Sequence, residues 1–150
     1  MKKYYHISFK ENMAGLWIPK EVEGEYALNF PSELSEPAVP RICMSDTMEG
    51  CFAAIVPNII DLLGRPLDFT VYSYTGAPDE TPESLTANRL VFDAHVTREC
   101  WFLKPIHMVE ECKITVLHDK ENGWVQYQPF QDQEQAPRWI AFGMQIERKG

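Results

Sequence analysis

Apolar and polar residues alternate in short runs along most of this chain, and only one stretch lengthens that spacing to a helical one. KYYHISF at 3–9 is aromatic and β-branched, as strands are. ENMAG then turns the chain, and LWIP makes a short apolar step closed by Pro19. PRICMS at 40–45 reads as a short buried strand, and LDFTVYSYT at 67–75 alternates like another. RLVFDAHV and ECWFLKPIHMV carry the next two strands, separated at Thr97–Arg98 or running on through a bulge. CKITVLHD at 112–119 leads through the hairpin loop 119–123 into WVQYQPF, and RWIAFGMQIER at 138–148 closes the sheet.

The helical stretch is DTMEGCFAAIVPNIIDLLG at 46–64. Met48, Cys51, Phe52, Ile55, Ile59 and Leu62/Leu63 recur at near-helical spacing. Asp46 and Glu49 have the spacing of a capping box, and Gly64 suits the C-terminal cap. Pro57 lacks an amide hydrogen and clashes with the preceding turn, so it is expected to kink or divide this helix. Thr81-Pro82-Glu83 starts a short second helix that reaches about Asn88. The pattern therefore predicts an α+β protein: one domain over 1–150, a mostly antiparallel sheet of about seven strands, one main helix and one short one.

Composition adds limits. A chain of 150 residues holds one hydrophobic core, and 45% hydrophobic with 24% charged residues is ordinary for a soluble domain. No apolar run approaches the roughly 18–20 residues of a membrane span, and Tyr4, Tyr5, His6 and Ser8 interrupt any leader, so a cytoplasmic location is expected. A net charge of −8 argues against non-specific binding to nucleic acid but leaves room for a nucleotide in a local pocket. The stretch 20–40 is rich in Glu and Pro with no sustained period, and it reads as an acidic surface loop open to a protein partner. Cys43, Cys51, Cys100 and Cys112 form no C-x-x-C pair and sit beside apolar neighbours, so they read as reduced core thiols, and no metal site is expected.

Phosphate-loop, dinucleotide, zincin and nucleophile-elbow motifs are all absent from the sequence. What remains is an ordered set: His6 in the first strand, Arg41 and Ser45 flanking a strand that runs into a helix, then Asp93, His95 and Glu99 with Trp101 beyond. Ser45 beside helix amides suits a ribose hydroxyl or an anion, or else simply starts the helix with Asp46.

A first strand with Tyr5-His6, a second of the form Arg41-Ile42-Cys43-x-Ser45 leading into a helix, and Glu99 on a later strand together resemble the ADP-ribosyltransferase-like fold. The resemblance covers about half the chain and implies NAD as the ligand. It places His6 at the nicotinamide-side ribose, Ser45 against the nicotinamide and Glu99 as the carboxylate that orients the ribose. Arg41 then suits a diphosphate, and Tyr5, Trp17 or Trp101 suit stacking on a base. Residues 40–50 hold no tyrosine, so the second position lacks an aromatic ring. Two functions follow: an ADP-ribosyltransferase or NAD glycohydrolase in which Glu99 and His6 are catalytic, or a non-catalytic protein that sequesters a nucleotide or docks a protein. A structural subunit of a larger assembly is a third.

Overall fold

The computed structural model describes residues 1–21, 37–59, 67–91, 94–119, 124–127, 138–140 and 145–149. Its strands are β1 (Lys3–Ser8), β2 (Gly15–Trp17), β3 (Ile42–Ser45), β4 (Leu67–Thr75), β5 (Glu99–Phe102), β6 (Ile106–Asp119), β7 (Trp124–Tyr127), β8 (Arg138–Ile140) and β9 (Gln145–Lys149). Among the described residues three helices interrupt them: α1 (Met48–Ile59), α2 (Pro82–Ala87) and α3 (Ala94–Thr97). The sheet runs β5-β3-β1-β4-β6-β7-β8, with β2 and β9 also on β6, and every strand pair is antiparallel. The class is α+β.

Alternation divides the core between the two faces of the sheet. Ile42, Met44, Cys100 and Phe102 join Tyr4, Tyr72 and Met108 on one face, with Trp17 packed against them. Cys43 and Trp101, the residues between, go to the other face with Leu85, Val91 and Ala94 from the helical side. α1 packs on β1 and β3, and its Phe52 is completely buried, worth about 2 kcal/mol of apolar burial.

Several expectations are corrected. The strand number among the described residues is nine rather than about seven, because pieces as short as Gly15–Trp17 pair with longer ones. The described residues of RLVFDAHV form no strand: Val91, Ala94 and Thr97, three residues apart, are buried while His95 and Val96 are exposed, and Ala94–Thr97 is helical. ECWFLKPIHMV divides at 103–105, where Pro105 stands and the Leu103 amide turns aside to Asp79 Oδ2 at 2.7 Å. Its second half joins CKITVLHD in the single strand β6, which carries a bulge at Glu111 where β4 passes from Val71 to Tyr72. Of RWIAFGMQIER, Arg138–Ile140 pairs with β7 and Gln145–Lys149 with β6, and residues 141–144 lie outside the described residues.

The helix start also differs. Thr47, not Asp46, caps α1: its Oγ1 accepts from the Gly50 amide at 3.0 Å, while the Asp46 carboxylate is drawn to Arg98. Pro57 does not divide α1 within the described residues: the helix runs through it to Ile59 without the i→i−4 bond that a proline cannot donate. The second helix starts as its sequence indicates, with Thr81 and Ser84 forming a reciprocal capping box and Pro82 in the first turn. The acidic stretch 22–36, Gly64, Asp93 and the loop 120–123 lie outside the described residues.

Candidate functional site

Ser45 stands opposite Tyr5 of β1 on one side and opposite Glu99 of β5 on the other. Residues directly opposite in antiparallel strands share a face, so the pairing lines up three side chains that are distant in sequence. β1 registers with β3 at that one pair, whereas it registers with β4 at six, from Lys3–Thr75 to Ser8–Thr70. Beyond Tyr5 the two strands part. A cavity of about 260 Å³ opens there beside the first two turns of α1, lined by His6, Ser45, Glu99, Gly50, Cys51 and Ala54 among others.

His6 bridges the gap: its Nδ1 lies 3.4 Å from the Cys43 carbonyl oxygen, and its ring meets Trp17 edge-on at 4.9 Å between centroids. Burial lowers the pKa of His6, an effect the Cys43 carbonyl only partly opposes, and so favours the neutral ring. A carbonyl oxygen only accepts, so Nδ1 carries the hydrogen and Nε2 keeps its lone pair. Glu99, in the same lining, is half-buried, and its Oε1 accepts from the Trp101 indole at 3.0 Å. The lining therefore includes two side chains that carry an acceptor, His6 and Glu99, which suits a ligand that presents hydroxyl donors.

Ser45 is engaged with the protein. Its hydroxyl donates to the Thr97 carbonyl at 2.8 Å and accepts from the Thr47 amide at 3.3 Å, so it ties β3 to α3 and to the entrance of α1. Tyr5 is buried, and burial with the nearby Glu111 charge pushes its phenol up to about 12. Three of the thiols are held in the protonated form at neutral pH. Burial pushes Cys100 up to about 12 and raises Cys51 and Cys43 further, the Glu99 charge adding to the effect at Cys43. None of the four cysteines is in a disulfide.

Arg41 and Trp17 fall elsewhere. Together with His6 and Cys43 they line a second cavity of about 450 Å³. Arg41 is buried, donates from Nη1 to the Pro37 carbonyl at 2.7 Å and lays its guanidinium over the Trp101 ring at 4.0 Å. Trp101 itself is only 2% exposed and lines neither cavity; it is a core platform that supports Glu99 and Arg41, not a surface for a base to stack on.

Sequence reasoning passed over two features that shape the first cavity. At Gly50 a side chain would collide with the Thr97 carbonyl oxygen and Ser45 Oγ, so only glycine lets α1 approach this closely. Gly50 and Ala54, four apart on one helix face, were the available signal. The second is an ion cluster at the end of β3. Arg98 donates to Asp46 from Nε at 3.1 Å and Nη2 at 2.8 Å, Lys2 adds a third contact at 2.9 Å, and Glu83 reaches Arg98 at 3.1 Å. Burial alone would raise the Asp46 pKa, but these cations outweigh it and hold the carboxyl below its usual range.

Among the described residues no group of three or more His, Cys, Asp or Glu is arranged to hold a metal ion, and no helix is long and apolar enough to cross a membrane. The chain matches no protein-family model, no curated protein and no solved structure.

Proposed function

We propose that the chain binds an ADP-ribose-type nucleotide, NAD being the form its sequence resemblance implies, with a ribose seated between His6 and Glu99. The observation that carries this reading is the shared cavity: His6, Ser45 and Glu99, drawn from three strands, line one space beside α1. A ribose diol presents hydrogens to the two acceptors, the His6 Nε2 lone pair and the Glu99 carboxylate. If the nucleotide is cleaved, the bond between ribose C1 and the nicotinamide nitrogen breaks with its electron pair leaving on nicotinamide. Glu99 then opposes the positive charge that develops on the sugar, and water or an acceptor hydroxyl forms the new bond at C1 and releases its proton.

A non-catalytic binder is the second reading, and a specific observation favours it. The Ser45 hydroxyl is committed to Thr97 and Thr47, so the position the resemblance assigns to the nicotinamide contact is occupied by a structural bond.

The test is a thermal-shift and calorimetric titration with NAD, ADP-ribose and cyclic ADP-ribose on the wild type, His6→Ala and Glu99→Gln. A ligand at a hundred times its dissociation constant stabilises by about 2.7 kcal/mol, a shift of several degrees for a domain this size. The expected result is a shift with ADP-ribose that His6→Ala removes. Nicotinamide release lost in Glu99→Gln with binding kept marks an enzyme, and binding without release marks the second reading. No shift with any of the three compounds sinks the nucleotide reading.

A further inference from the structure

We infer that the second cavity is a binding site of its own for an apolar organic anion, a one- or two-ring carboxylate. This inference does not rest on the nucleotide reading. At about 450 Å³ the cavity falls in the size range of small-molecule pockets, and it differs in chemistry from the rest of the molecule. The chain carries 22 acidic residues against 14 lysines and arginines, yet the described residues lining this cavity include two cations, Lys20 and Arg41, and no acid. A local reversal of charge sign in an acidic protein concentrates anions at that point.

The remaining walls are apolar and aromatic. Leu16 is 65% exposed and Ile18 53% exposed on either side of Trp17, an apolar rim where a strand facing water would carry polar residues. Trp17 is anchored by its indole N–H on the Met13 carbonyl at 2.6 Å and by its edge-on contact with His6. An anchored indole and a lysine in one lining suit a flat apolar body with one negative end, the ring packing near Trp17 and the carboxylate meeting Lys20. The backbone bonds between Lys20 and Arg41, 2.9 and 3.2 Å, hold the two cationic positions side by side.

The test uses 2-naphthoate and its neutral isostere 2-naphthamide on the full chain, with affinity read by calorimetry and location by the Trp17 indole resonance. Naphthoate is expected to bind at least ten-fold tighter than naphthamide and to shift the Trp17 indole signal. Lys20→Glu, at an exposed position, is expected to remove that preference, and Glu99→Gln to leave it intact. Equal affinity for the two compounds overturns the inference, as does a charge preference untouched by Lys20→Glu or a Trp17 signal that does not move. ADP-ribose gives a separate outcome: competitive displacement of naphthoate makes the two cavities one site and overturns the independence argued here. Absence of ADP-ribose binding with naphthoate binding retained removes the nucleotide reading alone.

Discussion

Arg98 grips Asp46 through two hydrogen bonds while its own backbone sits at φ 56°, in the left-handed region, and its carbonyl accepts from the Asp46 amide at 3.2 Å. Side chain and main chain thus fasten the end of β3 to the start of β5, one residue from the Ser45–Glu99 pair. A non-glycine residue in that conformation costs about 1 kcal/mol and persists because the surrounding contacts over-determine it.

Asp46→Asn is expected to destabilise the fold by about 2 kcal/mol, because Arg98 and Lys2 lose the charge that pairs them at a nearly buried site. Asp46 has a folded pKa below its unfolded value, so its contribution is present above the unfolded pKa and is lost as pH falls through the folded one. Urea denaturation between pH 6 and about 2 should therefore show a loss of stability at the acid end that is smaller in Asp46→Asn. An identical acid limb in both proteins would remove Asp46 from the account.

Glycine to alanine inside a helix ordinarily stabilises by up to about 1 kcal/mol. At Gly50 the sign should reverse, to a loss of about 1–3 kcal/mol, because the added methyl meets the Thr97 carbonyl and Ser45 Oγ. Thermal melts of Gly50→Ala decide the matter, and a raised Tm would show that α1 has room to move.

Arg89 offers the opposite case. It sits at φ 54° just past α2, with its amide on the Thr86 carbonyl and the Leu90 amide on the Leu85 carbonyl, the two bonds of a Schellman cap. Its exposed side chain does not need to be arginine, so Arg89→Gly should stabilise by about 0.5–1 kcal/mol, read as a higher urea midpoint. A lower midpoint would mean the arginine side chain contributes more than its backbone strain costs.

His6 should titrate below the ordinary histidine value and stay on the Nδ1–H tautomer at neutral pH, both visible in imidazole nitrogen shifts. With a depressed folded pKa the unfolded chain takes the proton first. Stability is therefore expected to fall as pH drops below about 6.5 and to level off once the folded ring titrates. A His6→Gln variant should lack this step.

What the sequence made legible was local. KYYHIS and LDFTVYSYT alternate cleanly enough to place β1 and β4, and Thr81-Pro82-Glu83 with Ser84 fixes the start of α2 by its own capping bonds. Asp46 shows the limit. Its place before a helix suits a cap, but a partner 52 residues away claims the carboxylate and leaves the cap to Thr47. The segment at 89–97 misled because Leu90, Val91 and Ala94 satisfy an alternating pattern loosely while being placed by a helix cap. The sequence names His6, Ser45 and Glu99, but only strand register puts Tyr5, Ser45 and Glu99 in one row, and register is a property of pairing that no single strand contains. Trp17 and Arg41 could not be assigned to a different cavity from Glu99 for the same reason.

The strand order has a consequence for how the chain reaches this state. β1 lies between β3 and β4, and β6 takes partners that range from Gly15–Trp17 to Gln145–Lys149. Few of these pairings are local hairpins, so the entropy of closing long loops precedes most of the contacts that reward it, and folding belongs at the slow end for a domain of this length. While the chain is being made, β6 emerges with its β9 side unfilled until Gln145–Lys149 follow. The interval before that closure is when an unpaired edge is open to neighbouring molecules.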